Sequence, residues 1–144
     1  MTTNYAGDVS PEEAFKLLQS EPNAVLIDVR TQPEWQFVGI PDLSAFGRDP
    51  VLLEWQSYPT MQVNTGFVRM LEDALKQDNL PADAPLLFLC RSGARSQAAA
   101  ATMAAAGHSR CYNVSGGFEG PPDSDHHRGS VAGWKALRLP WAQN

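Results

Sequence analysis

Pro85-Leu86-Leu87-Phe88-Leu89-Cys90-Arg91-Ser92-Gly93-Ala94-Arg95-Ser96 is the stretch on which the reading of this chain turns. An apolar run, Leu86–Leu89, stops abruptly at Cys90, a short loop of small and charged residues follows, and from Ser96 an alanine-rich segment runs to Ala106. A short apolar run bounded by proline and polar turn residues predicts a buried strand, and the alanines predict a helix with Gly107 at its C-terminal stop. Strand, loop and helix in that order place the Cys90 thiol at the carboxyl end of a strand and against the N-terminus of a helix. Backbone N–H groups there have no helical partner, and the helix dipole adds partial positive charge. Arg91 and Arg95 bracket the loop. Each feature favours thiolate over thiol, and the thiolate is the nucleophile. Cys90 therefore reads as a covalent nucleophile rather than as an inert cysteine at the end of a core strand.

Outward from this stretch, strands and helices alternate. Ser10-Pro11-Glu12-Glu13 is a capping box with proline at the first helical position, so a helix begins there and ends at Glu21-Pro22-Asn23. Ala24–Val29, apolar except for Asp28, predicts a second buried strand. Thr31-Gln32-Pro33-Glu34 repeats the capping logic and opens a short helix bearing Trp35 and Phe37. Val51–Gln56 reads as a strand, and Asn64 as the cap of a helix through Gln77. Arg110–Val114 is a further strand closed by Ser115-Gly116-Gly117; Gly120–Ser130 is a polar loop, and Val131–Leu137 a final short helix. Near-continuous apolar strands alternating with helices predict an α/β domain with a central parallel sheet of about five strands and helices on both faces.

Composition bounds the function. The 144 residues suit a single domain, 1–144, able to bury about two-thirds of its extended surface. With 43% hydrophobic and 19% charged residues the chain reads as an ordinary globular protein. A net charge of -5 argues against nucleic acid and against anionic membranes as partners. No stretch is long and apolar enough to span a bilayer, and the N-terminus shows no signal peptide. Two cysteines without a spaced pattern make neither a disulfide framework nor a zinc site, so the expectation is a reducing compartment, the cytoplasm, with no metal and no cofactor. The adjacent His126 and His127 lack the spacing of a metal site and read as a solvated loop. Cys111 is expected in a buried strand.

Three motifs together resemble the single-domain rhodaneses, sulfurtransferases of the thiosulfate or persulfide-carrying kind. Leu26-Ile27-Asp28-Val29-Arg30 with Glu34-Trp35 is similar to that family's strand-ending Asp-Val-Arg and the acidic–aromatic pair after it. Cys90-Arg91-Ser92-Gly93-Ala94-Arg95-Ser96 matches its active loop. Tyr112-Asn113-Val114-Ser115-Gly116-Gly117-Phe118, with Gly133-Trp134 and Leu139-Pro140-Trp141 beyond, is similar to its last strand and double glycine. The resemblance implies a rhodanese-like fold and makes Asp28 and Arg30 structural, with Arg30 paired to Glu34 or Asp28. One departure stands out: in Gly39-Ile40-Pro41 the position where the family carries histidine is held by Gly39.

The chemistry expected is transfer of sulfane sulfur from thiosulfate or a related donor anion to a thiophilic acceptor (cyanide, a thiol or a protein cysteine) through a persulfide on Cys90. The persulfide is anionic, and the loop amides from Arg91 through Ser92, Gly93, Ala94 and Arg95 to Ser96 form a ring of donors around it. Arg91 and Arg95 either attract the donor's anionic end or brace the loop. A binding or sensing module on the same fold is the alternative. Phosphatase or arsenate reductase activity ranks lower, because related phosphatase domains carry one more residue between cysteine and arginine than the Cys-x4-Arg found here.

Overall fold

The computed structural model describes residues 5–143. β1 (Gly7–Val9) leads into α1 (Pro11–Ser20), then β2 (Val25–Asp28), α2 (Gln32–Val38), β3 (Ile40–Pro41) and a 3-10 turn at Ser44–Phe46. β4 (Val51–Leu52), β5 (Gln56–Ser57) and β6 (Gln62–Val63) precede α3 (Phe67–Gln77), β7 (Leu86–Leu89), α4 (Ala94–Ala105), β8 (Cys111–Val114) and β9 (Trp141–Ala142). Five strands form a parallel sheet in the order β1-β8-β7-β2-β4, as the alternation of apolar strands and helices predicts.

The sheet is covered on both faces because successive side chains of each strand point to opposite sides. Ile27, Leu86, Phe88 and Cys111 pack on one face with Phe67 and Leu71 of α3 and Ala99, Ala100 and Met103 of α4. Leu26, Leu87, Leu89 and Val114 pack on the other with Ala14 and Leu18 of α1, Leu43, Phe118 and Trp134. The capping box of α1 is in place: Ser10 Oγ accepts from the Glu13 N–H at 3.0 Å, and Glu13 accepts from the Ser10 N–H at 2.8 Å. All five strands run one way, so the loops after β7, β2, β8 and β4 gather at one rim, where open parallel sheets place their ligands.

Three expectations fail, two for a tertiary reason and one for a local one. Val51–Gln56 is not one strand: Val51 and Leu52 pair with Ile27 and Asp28, whereas Gln56–Ser57 pairs with Gln62–Val63 in a separate hairpin. Between them Leu53 and Trp55 N–H still donate to Asp28 O and Val29 O at 3.1 Å, the Trp55 ring packs edge-on against Phe67 at 5.1 Å between centroids, and the chain leaves the sheet only after Trp55. Val131–Leu137 is a series of turns, not a helix. Its backbone bonds elsewhere: Trp134 N–H donates to Gly117 O at 2.8 Å and Lys135 N–H to Phe118 O at 3.1 Å. The helix expected from Asn64 starts at Phe67, because Asn64 Oδ1 accepts from Gly66 N–H at 3.0 Å in a turn before it.

Gly39 has a local explanation. Its φ is +107°, and a Cβ there would lie 2.8 Å from both Trp141 Cε3 and Ala142 O. β9 lies directly over this position, paired antiparallel with β3 (Ile40↔Ala142, Pro41↔Trp141), so a side chain at residue 39 has no room.

Candidate active site

Cys90 follows β7 directly and is 2% exposed, held at the wall of an open cavity of about 550 Å³ at the sheet's carboxyl rim. The start of its loop is clamped from β8's side. Phe118 N–H donates to Cys90 O at 2.8 Å, and the Glu119 and Gly120 N–H groups both donate to Arg91 O at 3.0 Å. That approach requires Gly117, where φ is +63° and a Cβ would lie 2.5 Å from Cys90 O and 2.6 Å from Arg91 O. The double glycine is thus the seat of the cysteine loop.

Two groups touch the thiol. Gly93 N–H donates to Cys90 Sγ at 3.1 Å, and Ser96 Oγ lies 3.2 Å from it. Ser96, in the first turn of α4, is fully buried. Its hydroxyl also reaches Asn113 Oδ1 at 2.5 Å, and Asn113 Nδ2 donates to Asp8 Oδ1 at 3.1 Å. Asp8, an acceptor, fixes the orientation of the Asn113 amide and leaves its oxygen facing Ser96. A polar relay, Asp8–Asn113–Ser96–Cys90, thus runs from an exposed carboxylate on the edge strand to the buried sulfur.

The two loop arginines differ in their surroundings. Arg95 meets Glu34 with both edges of its guanidinium, Nη1 to Oε1 at 2.7 Å and Nη2 to Oε2 at 2.9 Å. Burial alone would raise the Glu34 carboxyl, but Arg95 and the Thr31 N–H and hydroxyl outweigh it and bring the carboxyl down to about 2. Arg95 is held above its ordinary value, burial opposing the charge and Glu34 prevailing. Arg91 is exposed at the cavity's edge with Ser92 and Ala94. Beneath the site, Asp28 and Arg30 form a fully buried pair, 2.7 Å apart. Arg30 Nη2 also donates to Gly39 O at 2.7 Å, and its guanidinium lies 4.2 Å over the Phe118 ring. The pair joins β2, α2's end and the segment after the double glycine.

All seven residues singled out from the loop, Cys90 to Ser96, lie at the cavity or on the sulfur. Sequence reasoning missed Asn113, Glu119 and Arg128, which the fold brings to the same place. Only Asn113 left a trace, as an amide in a strand otherwise buried; Arg128 stood in the polar loop Gly120–Ser130, and Glu119 carried no signal of its own. His126 and His127 are exposed, and among the described residues no group of three or more His, Cys, Asp and Glu could hold a metal. Cys111 does not belong to the site. It pairs in register with Leu86, four residues before Cys90, or about 13 Å along the strand at the usual rise. A disulfide between the two needs Cα atoms within about 7 Å.

The family model described as the STR4 middle domain matches residues 6–144. A crystal structure of Rv0390 from M. tuberculosis superposes with a TM-score of 0.85 at 45% identity, covering 98% of this chain and 100% of that one. The uncharacterized protein RC0915 of Rickettsia conorii is 37% identical over 93% of this chain and 95% of its own. The thiosulfate sulfurtransferase GlpE of Pseudomonas syringae is 33% identical over 77% of this chain and 82% of its own. The chain belongs to the rhodanese-like family, within the group that the STR4 middle domain represents.

Proposed function

We propose that this protein is a sulfurtransferase that moves sulfane sulfur from a small anionic donor, thiosulfate or a relative of it, to a thiophilic acceptor through a persulfide on Cys90. The observation that carries the reading is the setting of the Cys90 sulfur: at the carboxyl end of β7, 3.1 Å from the Gly93 N–H, on an open cavity edged with arginines. The 33% identity to a protein named thiosulfate sulfurtransferase supports it.

Cys90 thiolate attacks the terminal sulfur of the donor. A new S–S bond forms on Cys90, and the donor's own S–S bond breaks with its electron pair leaving on sulfite. No general acid is required, because sulfite departs as an anion. The outer sulfur of the persulfide then passes to cyanide, a thiol or a protein cysteine, which regenerates the thiolate in a two-step covalent cycle. The Gly93 amide is a fixed donor to Cys90 Sγ, the sulfur that carries the attacking charge. Both cysteines are free, and a reducing compartment such as the cytoplasm suits the thiol. No helix among the described residues is long and apolar enough to cross a membrane.

Intact mass of the reduced protein after thiosulfate treatment tests the reading. The expected result is a gain of one sulfur atom, lost on adding cyanide and absent in Cys90→Ser. If thiosulfate, 3-mercaptopyruvate and low-molecular-weight persulfides all leave the mass unchanged, the reading fails in favour of a binding or sensing module.

A further inference from the structure

The cavity at Cys90 is edged by three guanidinium groups, Arg91, Arg95 and Arg128, and by two carboxylates, Glu34 and Glu119. Arg95 and Glu34 neutralise one another in their two-bonded pair. That leaves Arg91, Arg128 and Glu119 at the cavity's rim, two cations against one anion. Among the described residues neither Arg91 nor Arg128 forms an ion pair. Arg128 is half-buried, and its Nη1 donates to a neutral group, Gly120 O, at 2.6 Å.

Arg128 arrives from the polar loop after the double glycine, and that loop is built rather than slack. Asp123 organises it, accepting from the Asp125 and His127 N–H groups at 2.9 Å and from Ser130 Oγ at 2.7 Å. Both neighbours of Arg128 are tied by their backbone: His127 O accepts from Asp123 N–H at 2.6 Å, and Gly129 N–H donates to Glu119 O at 2.7 Å. Glu119 in turn is bonded through its own N–H to Arg91 O. The loop therefore fixes a cation against the cysteine loop by continuous backbone bonding. An arginine in such a position, with most of its donors unclaimed and no carboxylate partner, suits recognition of an oxyanion or carboxylate.

We propose that Arg128, with Arg91, forms an anion subsite in the Cys90 cavity that holds the charged end of the sulfane donor, the end opposite the sulfur that Cys90 takes. This deepens the sulfurtransferase reading and rests on it. Cys90 thiolate and thiosulfate dianion give the persulfide anion and sulfite dianion, so charge is conserved while the electron pair of the donor's S–S bond moves onto sulfite. The subsite favours that movement by holding the group on which the charge grows. Donors whose far end is neutral gain nothing from it.

The test compares the full chain with Arg128→Gln and Arg128→Lys. Persulfide formation, followed by intact mass at rising thiosulfate, requires about tenfold more donor in Arg128→Gln for the same rate, with Arg128→Lys in between. Discharge of the preformed persulfide to dithiothreitol, which brings no oxyanion or carboxylate, is unchanged in both variants. Sulfate, a non-reactive stand-in for the donor's charged end, slows iodoacetamide alkylation of Cys90 in the wild type and Arg128→Lys but not in Arg128→Gln. An unaltered donor dependence with sulfate protection intact in Arg128→Gln overturns the subsite. Equal slowing of formation and discharge overturns it too, because it assigns Arg128 to holding the loop together. A wild type that gains no sulfur from any donor but shows Arg128-dependent sulfate protection overturns the sulfurtransferase reading and leaves the anion subsite standing.

Discussion

Ser96 has one hydroxyl proton and three acceptors in reach: Asn113 Oδ1 at 2.5 Å, Gly93 O at 3.2 Å and Cys90 Sγ at 3.2 Å. Only one of them can take the proton at a time, and Asn113 Oδ1, the shortest contact, is the expected acceptor, which leaves the Gly93 amide as the standing donor to sulfur. Removing a donor aimed at the reacting charge costs on the order of a hundredfold in rate. Ser96→Ala is expected to slow persulfide formation by less than about tenfold, since its proton points elsewhere. It is expected to cost about 1–3 kcal/mol of stability, because Asn113 Oδ1 is left buried without a donor. Urea denaturation beside single-turnover kinetics checks both; a hundredfold rate loss with no change in stability would place the hydroxyl proton on sulfur instead. Gly117→Ala is the opposite case. Its Cβ would meet backbone atoms of Cys90 and Arg91 that cannot move without opening the loop, so a loss of about 3 kcal/mol or more is expected. Persulfide formation should fall with it.

At the scale of elements, α2 and α4 are tied by one ion pair across 61 residues, Glu34 to Arg95. The Glu34 carboxyl is held at about 2 against an ordinary 4.5. A carboxyl lowered by folding stabilises the native state above its unfolded value and loses that contribution as the pH falls through its folded one. The contribution is therefore complete above about pH 4.5 and disappears toward pH 2, with about 2–3 kcal/mol as its upper range. Glu34→Gln should lower stability at pH 7 and flatten its decline between pH 5 and pH 2, as measured by denaturant melts across that window. A variant whose acid limb matches the wild type would show that other carboxylates govern it.

For the molecule as a whole, the register of β7 and β8 separates two thiols of opposite character. Cys90 opens on the cavity, whereas Cys111 is fully buried in the core facing α3 and α4 and its thiol is pushed up to about 11 by that burial. A single cysteine per chain should therefore react with iodoacetamide under native conditions at pH 8, and it should be Cys90. Cys111 should label only in denaturant, and peptide mapping reads the order directly. Labelling of Cys111 at a comparable native rate would mean that the sheet opens locally beside β8.

Local physics was enough to place the thiol at the centre. The period of apolar residues placed β2, β7 and β8, the capping box placed α1, and the strand–loop–helix order around Cys90 put the thiol among backbone donors, since all of these depend on neighbours within a few residues. Gly93, Ser96 and the flanking arginines were legible for the same reason. What long-range contact decided was legible nowhere in the chain: the edge strand β1, the turns in place of a helix at 131–137, and the hairpin split from β4. The partners of the site residues belong to that class as well. Arg95 joins Glu34, Ser96 joins Asn113 and Asp8, and Arg128 comes to the cavity, because a parallel sheet gathers the carboxyl ends of strands far apart in sequence at one rim.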